Sequence, residues 1–273
     1  MCIINQPYYA FSAYLVCKFS GSKLIIYSHN LEYKRFGQSS IFLGAVVFVV
    51  ELIAYRLCHG VFFVSNKEKR EAIQRFRLNQ ERCYFVPPIV LPNVVKQSTK
   101  AIRDDVFSII FFGDFSYAPN LNALNSLLYK IYPLLVRDLE FRYHISIFGS
   151  GLAQQITTTE QVSGGLGTIE ILGYLDDHFP QIQAADVMVS PVCEGAGSSL
   201  KIIESLSAGT TVISARSGAE GICIEHCGSK LMLVDDRSWD QYVSTINIVR
   251  NKDLHLDPTP DEFYKTYSEE GVM

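Results

Sequence analysis

The second half of this chain holds six short, continuously apolar runs, several of which end in a turn rich in glycine or other small residues. They are SIIFFG (Ser108–Gly113), YHISIF (Tyr143–Phe148), IEIL (Ile169–Leu172), VMVS (Val187–Ser190), TVIS (Thr211–Ser214) and LMLV (Leu231–Val234). Apolar residues on both sides of a strand predict a strand covered on both faces. Helical patterns lie between most of them. Asn122–Tyr132 puts Leu124, Leu127, Leu128 and Ile131 on one stripe, Ser199–Ala208 stops at Gly209, and Arg237–Arg250 is the last periodic segment. Strand–helix alternation at this spacing predicts a doubly wound parallel sheet.

With 273 residues, 48% of them hydrophobic, the chain has material for two α/β domains. The first half supplies fewer strands: KLIIYS (Lys23–Ser28), VFFVS (Val61–Ser65) and CYFV (Cys83–Val86), with a charged helix capped by Ser65 or Asn66. Proline-rich VPPIVLPNV (Val86–Val94) interrupts regular structure, and the domain boundary is expected between about Pro92 and Val106. The expected division is 1–95, 106–250 and a tail over 251–273.

The net charge of −4 argues against a nucleic-acid binder acting through bulk electrostatics. No signal-peptide pattern opens the chain, and the seven scattered cysteines read as reduced thiols of a cytoplasmic protein. Cys223 and Cys227 flank His226 without a second ligand pair, so no metal site is expected. Ile41–Tyr55 is the most apolar stretch, shorter than the ~20 residues of a spanning helix. It reads as a buried helix, with a helix lying on a membrane surface as the alternative.

Ligands of open parallel sheets bind beyond the carboxyl ends of the strands. Four strand-to-helix turns of the second half therefore matter. In PVCEGAGSSLKIIES, Gly195–Ser199 are small and a helix starts at once, so free N–H groups would face an anion. Lys201 lies within the first turn, and Glu204 follows at i+3, where a carboxylate could accept hydrogen bonds from a ribose diol. A plain helix start with exposed Lys and Glu is the competing reading. In GDFSYAPNLNAL, Gly113 permits a tight turn, and Asn120 or Asn122 can cap the following helix. FGSG (Phe148–Gly151) and GYL (Gly173–Leu175) complete the edge. In the first half, His29, Asn30 and Glu32 stand just after a strand; packing or capping competes with a ligand role for His29.

In their order and spacing, GDFSYAPNLNAL, FGSG, GYLDDHFPQIQAADVMVSP and EGAGSSLKIIESLSAGTTVISARSGAEGI resemble the retaining glycosyltransferases of family 4. The first half resembles the later part of that family's N-terminal domain, through the HN pair at His29–Asn30 and VSNKEK. The resemblance implies a GT-B-like fold of two Rossmann-like domains, the N-terminal one incomplete. It also implies sugar transfer from a UDP- or GDP-linked donor, without a metal cofactor, to a polysaccharide or glycolipid acceptor.

Carried over residue by residue, Glu204 matches the glutamate that binds the ribose, and Lys201 with the backbone of Gly197, Ser198 and Ser199 lies near the diphosphate. Gly113 and Gly149 line the phosphate side, Tyr174 and Leu175 pass the base, and His29 contacts the donor sugar or its β-phosphate. His29, Lys201 and Glu204 are the expected catalytic set. Ala196 stands where many members carry a second glutamate, with Glu194 two residues earlier. The family's opening βαβ portion and closing helix are expected to be missing. Two alternatives accompany the main reading: a catalytically impaired nucleotide-sugar-binding remnant, and a GT-B-fold nucleotide-sugar epimerase.

Overall fold

The computed structural model describes residues 1–89, 106–152, 166–194 and 200–268. Two parallel sheets organise them. The first has the order β1 (Cys2–Ile4), β2 (Leu24–Ser28), β3 (Gly60–Phe63), β4 (Cys83–Phe85). Helices α1 (Ala10–Ser20), α2 (Glu32–Ser39), α3 (Ile41–Leu57) and α4 (Asn66–Phe76) connect these strands. The Ser65 hydroxyl caps α4 by accepting from the Lys67 and Glu68 N–H groups, as its sequence suggests.

The second sheet runs β10-β9-β8-β5-β6-β7. Its strands are β5 (Val106–Phe112), β6 (Arg142–Phe148), β7 (Gly167–Gly173), β8 (Val187–Ser190), β9 (Thr211–Ala215) and β10 (Leu231–Val234). Each coincides with a predicted apolar run. Ile109, Ile145, Val187 and Ile213 are buried on one face with α9 (Trp239–Asn251), while Ile110, Met188 and Val212 meet α8 (Leu200–Ser207) and α10 (Asp261–Tyr267) on the other. Burial on both faces explains the lack of polar alternation. After β5 the chain adds β6 and β7 on one side, then returns to add β8, β9 and β10 on the other. The order therefore reverses between β5 and β8, and at such a switch point the flanking turns diverge and open a crevice.

Three expectations need correction. The helix after β5 begins at Ala118, not Asn122, and its cap position is Tyr117 with no capping side chain. It runs as α5 (Ala118–Ser126), a π turn over Leu127–Ile131 and α6 (Tyr132–Asp138). Pro133 has no N–H to return to Tyr129, and the helix widens there. Second, α3 is buried only along Gly44, Val47, Glu51, Ala54 and Tyr55; Ile41, Phe42, Val46, Val49 and Ile53 face outward. Its inner face approaches α2 closely because a Cβ on Gly44 would lie 2.7 Å from the Gly37 Cα. Third, β1 and α1 precede the first strand read from the sequence.

Candidate functional site

The switch point gathers residues from three turns. Gly113, Gly149 and Gly173 end β5, β6 and β7 side by side, the Gly113 N–H donating to the Phe148 carbonyl and the Gly149 N–H to the Gly173 carbonyl. A Cβ on Gly149 would fall 1.9 Å from the Gly113 carbonyl oxygen. Glycine at 149 is thus required by neighbouring backbone, before any ligand is considered. At Gly113 a Cβ would lie 3.0 Å from the Lys201 Nζ, so the side chain missing there is what gives the lysine its place.

Lys201 reaches across from α8 and donates from Nζ to Asn120 Oδ1 at 2.6 Å. Asn120 is buried, and its Nδ2 donates to the Asp114 carbonyl at 2.8 Å. Asn120 therefore braces the turn after β5 with one end and holds the lysine with the other, in place of the cap expected of it. The Phe111 ring lies 5.0 Å from Nζ, within cation–π range. No carboxylate pairs with this ammonium among the described residues. Burial pulls its pKa down to about 8, because desolvation penalises the charged form.

Glu204, three residues along the same helix, is half-exposed and pairs through Oε1 with His178 Nε2 at 2.7 Å. His178 stands before α7 (Phe179–Ala184), its ring against Phe112 and Phe148. The pairing leaves the second carboxylate oxygen of Glu204 for another donor. Tyr174 is 69% exposed beside this edge, whereas Leu175 packs into the apolar layer around α8. Glu194 lies apart, in an ion pair with Arg237 beside a cavity of about 190 Å³ that Asn122 also lines. Gly197, Ser198 and Ser199 lie outside the described residues.

The structure thus brings Lys201, Glu204, Gly113 and Gly149 to one crevice. Sequence reasoning missed His178 as a member and gave Asn120 a different role. His29 follows β2 at the corresponding edge of the first sheet, its exposed ring edge-on to Tyr27 at 4.6 Å. No hydrogen bond joins it to Lys201 or Glu204. The turn around it is held by two buried carboxylates. Glu51 accepts from the N–H groups of Glu32 and Tyr33, and Glu68 accepts from that of Leu31. Burial pushes both carboxyls up to about 7. An ion pair between Lys67, just after β3, and Glu220, just after β9, joins the carboxyl edges of the two sheets.

Residues 106–250 match the family model described as glycosyl transferases group 1. The chain belongs to this family. No curated protein matches it by sequence. Among solved structures it is similar to HepE of Anabaena in complex with UDP, at 14% identity and a TM-score of 0.74, covering 99% of this chain and 75% of that one. A glycosyltransferase from Rickettsia africae matches at 14% identity and 0.69, covering 99% and 73%. Sucrose-phosphate synthase from Thermosynechococcus elongatus matches at 13% and 0.70, covering 99% and 70%. The glycosyltransferase thus has the GT-B fold, and sugar transfer is its chemistry. Among the described residues, no helix is long and apolar enough to cross a membrane, and no cluster of three His, Cys, Asp or Glu residues could hold a metal.

Proposed function

We propose that this glycosyltransferase binds a nucleoside-diphosphate sugar at the β5–β8 switch point and transfers the sugar, with retention at the anomeric carbon, to a saccharide or lipid-linked saccharide. The observation that carries the reading is the lysine: a desolvated ammonium without a carboxylate partner among the described residues, held by Asn120 over a glycine turn. Departure of the leaving group builds negative charge on a diphosphate, and a cation already fixed in a dry crevice stabilises that charge without reorganising. The ligand's anion would in turn restore the proton that burial withdraws from Lys201.

Glu204 takes the ribose diol on the oxygen that His178 leaves free. Gly113 and Gly149 let the phosphates approach the backbone, as do Gly197, Ser198 and Ser199 by family resemblance. Tyr174 and Leu175 border the base, and His29 meets the donor sugar from the opposite sheet. The UDP bound in HepE supports uridine as the base to test first, with guanosine second. Seven free thiols fit a reducing, cytoplasmic setting, and the outward apolar faces of α1 and α3 suit contact with a membrane surface where a lipid-linked acceptor would lie.

The test is incubation with a panel of UDP- and GDP-sugars and saccharide acceptors, reading donor consumption and the anomeric configuration of the product by proton NMR. Consumption with retained configuration is expected. An inverted product overturns the stereochemical reading, and tight nucleotide binding without turnover favours the remnant.

A further inference from the structure

The edge of the first sheet opposite the crevice carries a feature that sugar transfer does not use. A cavity of about 120 Å³ at the start of β3 and β4 is lined by Arg56, Arg77 and Arg82, together with Tyr55, Asn79 and Cys83. That is several times the ~30 Å³ share of one water, enough for a phosphate-sized anion. Arg82 Nε donates to the His59 carbonyl at 3.0 Å, which fixes the guanidinium while leaving its terminal amino groups. No carboxylate lines the cavity, and no ion pair reaches any of the three arginines among the described residues. Three guanidiniums sharing one hollow repel one another unless an anion joins them. Arg77 also sits in the left-handed region, with φ of 53° at the end of α4, where glycine is the usual occupant. A strained arginine at such a position is better explained by what its side chain meets than by the turn itself.

The cavity lies at the end of an apolar stripe. Phe42, Val46, Val49 and Ile53 recur along the outward face of α3 at helical spacing, and Arg56 is the next residue on that face. Alongside, α1 packs against α3 and exposes Phe11, Val16 and Phe19, the last at 89%. The charge that this part of the chain supplies around the stripe is mostly basic. Over residues 1–57 the basic residues are Lys18, Lys23, Lys34, Arg35 and Arg56, while the only carboxylates, Glu32 and Glu51, are 3% and 0% exposed. The whole chain is nevertheless acidic, at −4. Lys34 and Arg35 pair with Glu71 and Glu32, whereas Lys18, Lys23 and Arg56 make no ion pair among the described residues; apolar side chains beside such cations complement the boundary of an anionic bilayer.

We infer that Arg56, Arg77 and Arg82 form a binding site for the phosphate of an anionic phospholipid headgroup, seated when the α3 stripe enters the membrane surface. The inference rests on the membrane-surface reading above and names the lipid chemistry that it selects. A choline headgroup brings its own cation toward the guanidiniums and is disfavoured; a headgroup with net negative charge is not. The site also orients the enzyme, because the stripe runs from the crevice edge at Phe42 to the arginines at the other edge.

Co-sedimentation with phosphatidylcholine vesicles, and with vesicles of about one-third phosphatidylglycerol, tests this on the full chain. Wild-type protein is expected to bind the anionic vesicles at least tenfold more tightly. Neutralising all three arginines (Arg56→Gln, Arg77→Gln, Arg82→Gln) is expected to cost about fivefold per residue, roughly a hundredfold together. Ile53→Asp with Val49→Asp should abolish vesicle binding. UDP titration of each variant should match wild type, which shows that the distant crevice, and hence the fold, is intact. Equal binding to both vesicle types, or an arginine variant that binds like wild type, overturns the headgroup site while leaving membrane contact standing. Failure to bind either vesicle overturns both. Arginine-dependent binding of free inorganic phosphate without vesicle binding also overturns the headgroup assignment.

Discussion

The two sheets each bury ionisable groups beside the turn that faces the crevice, but of opposite sign and to opposite ends. The second half partly buries a cation, Lys201, whose ammonium donates to the neutral Asn120 and meets no carboxylate among the described residues. The first buries three carboxylates, and two of them, Glu51 and Glu68, accept from the backbone around His29. These two are employed internally: they satisfy N–H groups where α2 begins. The lysine satisfies a single neutral acceptor, Asn120. A desolvated charge without a counter-charge is costly, and this supports the proposal that an anion binds at the switch point.

The largest difference should appear on deleting these groups. Lys201→Met should weaken UDP binding roughly a hundredfold, about 3 kcal/mol, as for loss of a charge-assisted hydrogen bond in a desolvated site. Thermal stability should hold or rise, because an unpaired buried cation is gone. A calorimetric titration and a melting curve check both; a large drop in stability would make the lysine structural and erase the contrast.

The carboxylates should show themselves in stability against pH. Their folded pKa of about 7 exceeds the unfolded value. Between roughly 4.5 and 7 the native state holds protons that the unfolded chain has released, so stability falls as pH rises through this window. From pH 6 to pH 8 the loss is on the order of 1 kcal/mol for each group. Glu68 Oε2 has no hydrogen-bond partner among the described residues, so Glu68→Gln should flatten part of the profile. An unchanged slope in urea unfolding would show that the burial argument fails there.

Smaller effects sharpen the crevice side. Glu204→Ala should weaken UDP about tenfold, as for loss of hydrogen bonds to a carboxylate. Glu194→Ala should leave it within twofold, since an exposed pair with Arg237 contributes little. Equal losses would place the ribose at the wrong glutamate. Asn120→Ala should cost about fivefold, because the lysine loses its brace but keeps its charge. His178→Gln should cost least, preserving a donor to Glu204 where His178→Ala does not.

The strands of the second sheet were legible because burial on both faces leaves unbroken apolar runs, and Gly209 was legible as a helix stop, with φ of +81°. β1 was not: Cys2–Ile4 is three residues long and lacks alternation. The outward face of α3 was hidden because its composition is apolar all round, so periodicity could not tell core from surface. Lys201 and Glu204 could be read from their offsets within one helix. Their partners could not, since Asn120 lies 81 residues away and His178 lies 26 away. Only strand order brings them together. His178 did have a signal, its place just past a strand at the ligand edge, and local capping chemistry concealed Asn120.

If the crevice receives a diphosphate, it does so on a lysine whose proton burial has loosened. Calorimetric titration with UDP at pH 8, in buffers of different ionisation enthalpy, tests it directly. Binding is expected with uptake of about half a proton as the anion recharges an ammonium of pKa about 8, and that uptake is expected to be lost in Lys201→Met. Absence of binding by both UDP and GDP, or the same proton uptake in the variant, would contradict it.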